Sequence, residues 1–541
     1  MERRTFLKIL SSAGIVSLVS PTFAMEVCKN KVSKSSSALL ESAFRNPPFS
    51  SGVYTWWHWM NGNITKDGIT RDLEAMKANG IAGYQLFEAG SGIPIGPVES
   101  LSDEWVDLIL HTLKESERLG LEFAMHNCPG WSSSGGPWIT PDKAMQIITW
   151  SETKITGGKQ VRIQLPTPKH MFDYYIDTYC LAIPANMKVI PRLSILELSN
   201  RLDKDGVLTW DVPTGEWLIM RFGQTAKDQK NKSAPSKSTG LDCDKFSTEA
   251  LDYHLNCMFK RLMPAMEKIA KHSKIGLLID SYETGDQDWT SDMPAYFEQS
   301  HGYELYPFLP VLANKIVESE ESTKRFLFDF RRVRADMFAE RYYGHFQKRC
   351  KEKGIITYTE PYGGNMMEEL QVAQQLDINM GEFWCGQTVL WANYKYNRTV
   401  KQVASIAHTL GGKVVGAEAF TSEPDADKWL QYPYALKSLG DYMFTRGLSR
   451  IYFHRFAHQP HPTAAPGMTM GAWGLHFDRT NTWWKPGKAW IEYLNRCQYI
   501  FQSSTFYGDI LYHNGDDSFG STIEPEQTLL APPEGYDYDM V

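Results

Sequence analysis

The chain has little cysteine and no cysteine motif: its 8 cysteines are scattered from Cys28 to Cys497 with no C-x-x-C pair, which excludes a zinc ribbon and a small disulfide-stapled scaffold. No glycine-rich phosphate loop follows the first strand-like segment, so the fingerprint of a dinucleotide-binding sheet is missing. There is no G-x-S-x-G elbow of a serine hydrolase and no H-E-x-x-H zinc pair. The formal net charge is −7 with interspersed signs, which offers no basic face to nucleic acid or to an anionic membrane. Beyond the first two dozen residues no apolar run reaches the ~20 residues that span a bilayer.

What the chain has is aromatic rings, 13% of its residues with 17 Trp among them. Indole faces stack on the apolar faces of sugars, and they also fill ordinary cores. At the front, MERRTFLK precedes the apolar stretch ILSSAGIVSLV and a small-residue exit at Ser20 to Ala24. That layout predicts a cleavable export signal over residues 1–24, of twin-arginine type through Arg3 and Arg4, and hence a periplasmic or extracellular protein.

From about Ser51 one grammar repeats: helix, glycine stop, apolar strand, polar tip. Ile69, Leu73 and Met76 mark the buried stripe of one helix, and Ser102 is placed to cap the next, whose stripe is Trp105, Leu108, Ile109 and Leu113. The runs WWHWM, IAGYQLFEAG, LEFAMHN, IGLLIDSYE, IITYTEP, DINMGEFW, KVVGAEAF and SRIYFHRF then read as strands. Strands alternating with helices predict parallel pairing and an α/β fold, a (β/α)8 barrel of the TIM type. Residues 40–150 would form its first part and 241–510 the remainder. Between them, residues 151–240 break into short β-like pieces, predicting a small β-domain inserted after the third strand. The lysine-rich loop AKDQKNKSAPSKS that closes this segment reads as solvated and mobile. Residues 511–541 are expected to open a further C-terminal region.

The strand tips of such a barrel build its active site. They carry Trp57, His58 and Asn61; Phe87 and Glu88; His126 and Asn127; Asp280, Tyr282 and Glu283; Glu360 and Tyr362; Glu382 and Trp384; Glu418 and Phe420; His454 and His458. Acidic, polar and aromatic tips together suit glycosidic bond cleavage, which needs a protonated acid, a second carboxylate and hydroxyl-binding groups. Glu283 and Glu418 are the leading pair, on the fourth and seventh strands; a salt bridge or helix cap is the bland alternative for either. Glu360 and Glu382 would bind hydroxyls or a hard cation. Asp280, Trp57, His58, Asn61, His126, Asn127, Trp384 and His454 are candidates for holding substrate. Trp131 and Trp138, in the loop HNCPGWSSSGGPWITP, would form a sugar platform or be rings packed beneath the loop.

The strings WWHWMNGNITKDGITRDLEAMKANGI, HNCPGWSSSGGPWITPDKAMQ, DSYE, GAEAFTSEP and PGMTMGAWGLHFDRTNTWW resemble glycoside hydrolase family 106, the α-L-rhamnosidases. The resemblance runs from about Phe44 to the C-terminus. It implies an inverting, calcium-dependent enzyme that removes terminal α-L-rhamnose from plant polysaccharides or glycosides. It makes Glu283 of DSYE the general acid and Glu418 of GAEAF the base, with Asp280 also important. Members are usually longer, with β-rich domains after the barrel. Two other readings stay open: a retaining glycosidase of other sugar specificity, and a truncated barrel that binds carbohydrate without cleaving it.

Overall fold

Eight strands close into a barrel: β1 (Tyr54–Met60), β2 (Gly83–Ala89), β3 (Glu122–His126), β4 (Ile275–Ile279), β5 (Ile356–Thr359), β6 (Ile378–Cys385), β7 (Gly416–Ser422) and β8 (Arg450–Ala457). Each pairs in parallel with its sequence neighbours, and β1 closes the ring on β8. Parallel neighbours need long crossovers, and helices supply them. The computed structural model describes residues 34–541 except 91, 133, 273, 365, 386–389, 423–427, 472–473, 516–524 and 526–530. The expected export signal at residues 1–24 lies outside the described residues. Residues 1–48 and 49–541 are two units; the first contributes the helix Lys34–Arg45, with an exposed Glu41–Arg45 ion pair of 2.9 Å.

The helices form where the sequence signals them. Thr65 caps Lys66–Ala78, its hydroxyl accepting from the Gly68 N–H, and Ile69, Leu73 and Met76 are buried. Ser102 caps Asp103–Leu119 by accepting from the Trp105 N–H at 3.1 Å, and the helix ends at Gly120 in the left-handed conformation. Its stripe of Trp105, Leu108, Ile109 and Leu113 is buried against the barrel wall. Each such side chain contributes about 1.5–3 kcal/mol of hydrophobic stabilisation.

Alternation along the strands divides two cores. Trp57 and Trp59 face the helix layer, whereas Tyr54 and Trp56 face the barrel axis with Phe87, Ala124, Leu278, Tyr358, Met380 and Tyr452. Three of these rings, Tyr54, Tyr358 and Tyr452, fill the bottom, with the Arg450 guanidinium 4.6 Å from the Tyr54 ring centre. Gly276 makes room for them, since a Cβ there would stand 2.6 Å from the Tyr358 ring. The axis is therefore plugged below, and the next inward layer is the floor of the site.

Between β3 and β4 the chain folds into antiparallel sheets, as its short β-like pieces predict. Strands Gln146–Thr156, Glu216–Ala226, Ile176–Pro184 and Leu196–Glu197 form one sheet in that spatial order, and Lys159–Gln164 pairs with Val207–Val212. They bury a small cluster around Leu208, Trp210 and Ile219. The first strand starts at Gln146, ahead of the expected boundary at 151, and Gln146 bridges to Trp289 beyond β4. This segment does not separate from the barrel as a unit of its own.

The lysine-rich loop is not a free surface. Asn231 is buried, its amide donating to the Pro129 and Ser238 carbonyls at 2.9 and 3.1 Å, and the Lys232 N–H donates to Ser132 Oγ at 2.6 Å. The Gly90 and Trp131 N–H groups donate to the Ser233 and Lys232 carbonyls at 2.7 and 3.2 Å. Backbone and amide bonds stitch the loop to the ends of β2 and β3, which charge interruption along the sequence does not reveal. At the far end, Ile510–Tyr512 pairs with Tyr538–Met540, and Asp539 and Asp537 meet His408 and Lys401 of the helix Leu390–Leu410 at 3.0 and 2.9 Å. Among the described residues no cysteine is in a disulfide, and no helix is long and apolar enough to cross a membrane.

Candidate active site

A cavity of about 840 Å³ opens at the C-terminal ends of the strands. Its floor continues the inward parity of the strands: Trp56 and His58 of β1, Glu382 of β6, Glu418 of β7 and His454 of β8, with Asp280 directly after β4. Register places Glu382 directly beside Glu418 on neighbouring strands. Loops supply the upper wall, including Trp131, Lys232 and Glu283.

Glu283 sits at the rim with 37% of its side chain exposed, and the Lys232 ammonium donates to its Oε2 at 2.6 Å. The Trp131 indole N–H donates to the same oxygen at 3.2 Å. The turn beneath is fixed by the Tyr282 N–H donating to the Tyr362 carbonyl at 3.0 Å. Gly363 and Gly364 follow with positive φ, and a Cβ on either would strike Tyr282 at about 2.6 and 2.5 Å, so only glycines allow the two loops to interlock.

Glu418 lies on the floor, buried, with the Thr421 hydroxyl donating to its Oε1 and His454 Nδ1 3.7 Å away. Phe420 between them adopts φ of 61°, a left-handed conformation that costs of order 1–3 kcal/mol and turns Thr421 towards the glutamate. Burial first, then the charges of Glu382 and Asp280, push Glu418 well above the ordinary carboxylate range. Burial and the Glu283 charge do the same to Asp280, and burial, Asp280 and Glu418 to Glu360. His58 and His454 are held neutral, pushed well below the usual imidazole range by burial. Among the described residues neither Nδ1 has a hydrogen-bond partner, and both atoms are buried.

The structure gathers Glu283, Glu418, Asp280, His58, Trp131, Trp384, His454 and Glu382 around the cavity. Five candidates do not line it. Trp57 faces outward, its indole N–H donating to Asp72 at 3.2 Å, because alternation gives the inward place to Trp56. Asn61 bends in a left-handed conformation and donates to the Ile93 carbonyl at 2.6 Å. Asn127 stitches β3 to β4 by donating to the Leu278 carbonyl at 2.9 Å. His126 is buried beside Phe87, pushed down to about 4 by burial, with Nδ1 2.9 Å from the Cys128 carbonyl. Glu360 lies beneath the wall, accepting from the Tyr362 hydroxyl at 2.5 Å, while Glu382 accepts from the Trp384 indole. Among the described residues no group of three or more His, Cys, Asp or Glu side chains stands ready to hold a metal ion. His458 and Glu88 are also outside: His458 clamps Asp72 at 2.8 Å, and Glu88 accepts from Ser100 at 2.7 Å. Trp138 packs under its loop against His254.

Sequence reading missed Trp56 and Lys232. Period-two alternation from His58 would have found the tryptophan; nothing local marks the lysine, which long-range backbone bonds put in place.

A parallel barrel whose strand ends surround a cavity with carboxyl groups and tryptophans is the architecture of a glycoside hydrolase. The profile of glycoside hydrolase family 106, described as alpha-L-rhamnosidase, matches residues 45–172 and 169–541, and the chain belongs to that family. A Formosa agariphila protein named "Putative beta-glucuronidase" is 40% identical over 536 residues, covering 93% of this chain and 45% of that protein. The structure of a rhamnosidase from Novosphingobium sp. PP1Y superposes with a TM-score of 0.85 at 24% identity, covering 93% of this chain and 64% of that one; this match establishes the shared fold. The chain thus spans less than two thirds of the length of both relatives.

Proposed function

We propose that the chain hydrolyses terminal α-L-rhamnosyl bonds by single displacement, with Glu283 as general acid and Glu418 as general base. The observation that carries this is that the two glutamates share one cavity, one at its rim and one on its floor. A terminal sugar fills the closed end of such a cavity and its leaving group extends to the opening. Glu283 then faces the glycosidic oxygen, and Glu418 the opposite face of the anomeric carbon. In the reaction Glu283 gives its proton to the leaving oxygen as the C–O bond breaks. Water forms the new bond to the anomeric carbon and gives its proton to Glu418. Inversion requires room for that water, roughly 6.5–9.5 Å between the carboxyl groups.

The test is incubation with an aryl α-L-rhamnoside, following the first-released anomer by NMR. β-L-Rhamnose is expected; α-L-rhamnose first would replace inversion with retention, and binding without release would leave a carbohydrate-binding barrel. Calcium belongs to the proposal through the family resemblance alone, and full activity after chelation would remove it. Export belongs to it through residues 1–24; unchanged exported protein after R3K/R4K substitution, measured by cell fractionation, would reject the twin-arginine route.

A second reading follows from Lys232 in the cavity, since an ammonium there would hold the carboxylate of a terminal uronic acid, in line with the name of the Formosa agariphila relative. Turnover of an aryl β-D-glucuronide without turnover of the rhamnoside would put it first.

A further inference from the structure

Lys232 is held with more care than its ion pair deserves. Its N–H and carbonyl are both bonded to the loop after β3, at 2.6 and 3.2 Å. Gly130 faces that carbonyl so closely that a Cβ would stand 2.1 Å from it. Yet the side chain reaches a half-exposed contact with Glu283, 53% and 37% exposed on the two sides, and such pairs add little to stability. The other lysines of the loop are engaged elsewhere: Lys227 on the Asp286 carbonyl, Lys230 with Asp228 and Lys237 with Glu99.

The contact also occupies a carboxyl oxygen of Glu283 that the proposed chemistry turns towards the leaving group. Below the rim lie Asp280, Glu382 and Glu418, a concentration of acids that would repel an anionic sugar unless a cation met it at the mouth.

We infer that Lys232 is an anion-binding subsite for the leaving group, taking a carboxylate or sulfate on the sugar next to the scissile bond and releasing Glu283 as it does so. The inference rests on the proposed cleavage, with Glu283 on the leaving-group side. The exchange moves the ammonium from the Glu283 carboxyl group to the anion of the sugar, leaving Glu283 free to face the glycosidic oxygen.

The experiment compares three disaccharides with terminal α-L-rhamnose on a neutral hexose, a hexuronate or an O-sulfated hexose, using wild type, K232M and K232R. Wild type is expected to show a KM about fivefold lower for an anionic leaving sugar, the size of a partly exposed ion pair. That gap closes in K232M, returns in K232R and shrinks in high salt. Preference for hexuronate or sulfate names the anion. No gap in wild type, or a gap that survives in K232M, overturns the inference. Titration of E418Q and of E418Q/K232M with the same disaccharides reads the subsite by affinity alone: tighter binding of the anionic sugar that needs Lys232, in a protein whose wild type cleaves none of them, would reject the hydrolytic reading and keep the subsite.

Discussion

The floor and the rim of this cavity present the same residue type in opposite settings. Glu418 on β7 is buried among like charges and neutral imidazoles, whereas Glu283, on the turn after β4, is half exposed and touches an ammonium and an indole N–H. The strands fix the first through their parity; loop-to-loop hydrogen bonds fix the second. Burial and the sign of the neighbouring charge thus divide two identical side chains, and the proposed acid and base roles are assigned across that division.

The largest expected effect tests that division directly. Glu418→Gln is expected to lower kcat/KM by about 10³-fold on every aryl rhamnoside, within the range of general acid–base catalysis. Glu283→Gln should lose as much on a poor leaving group and far less on a dinitrophenyl one, which needs no protonation. Leaving-group series in the two variants check this, and identical patterns would erase the distinction between floor and rim.

The next effect concerns what stands behind the floor. Asp72 accepts from Trp57, His458, the Gln459 N–H and Arg479 at 3.2, 2.8, 3.0 and 2.7 Å, tying a helix to the ends of β1 and β8. Asp72→Ala strands these donors, and a loss of about 3–5 kcal/mol in urea unfolding is expected. Retained stability would show that the floor is held by packing alone.

Smaller and of defined sign are changes in pH dependence. With Glu418 as the proposed base, pushed above the ordinary carboxylate range, activity is expected to fall as pH drops and the carboxylate is protonated. Glu382→Gln removes a like charge, so the acid limb of kcat/KM moves to lower pH; Thr421→Val removes a stabilising donor, so it moves to higher pH. Rate profiles check both, and shifts in the same direction would contradict the electrostatics. Smallest, Ser102→Ala, remote from the cavity, should cost about 1 kcal/mol in thermal or urea unfolding with catalysis unaltered.

The barrel was legible because it is written locally. Ser102 and Gly120 bracket a helix, and polar tips follow apolar runs at each of β1 to β8. The carboxyl groups were legible for the same reason, as tips of strands. Trp57 was mistaken for Trp56 because a run of aromatic residues on both faces hides which face is which. Asn127 and His126 were mistaken because polarity at a tip also serves stitching, here to Leu278 and Cys128. Lys232 escaped because its position depends on partners about 100 residues away, Pro129 to Ser132.

The lysine at the mouth belongs to the connection between β3 and β4, not to any strand. On the proposed function, changes confined to that excursion would retune which aglycones are accepted while the proposed bond-breaking pair, on β7 and the turn after β4, stays as it is. Because that excursion is hydrogen-bonded to the ends of β2 and β3, each such change also tests the packing around the mouth of the barrel.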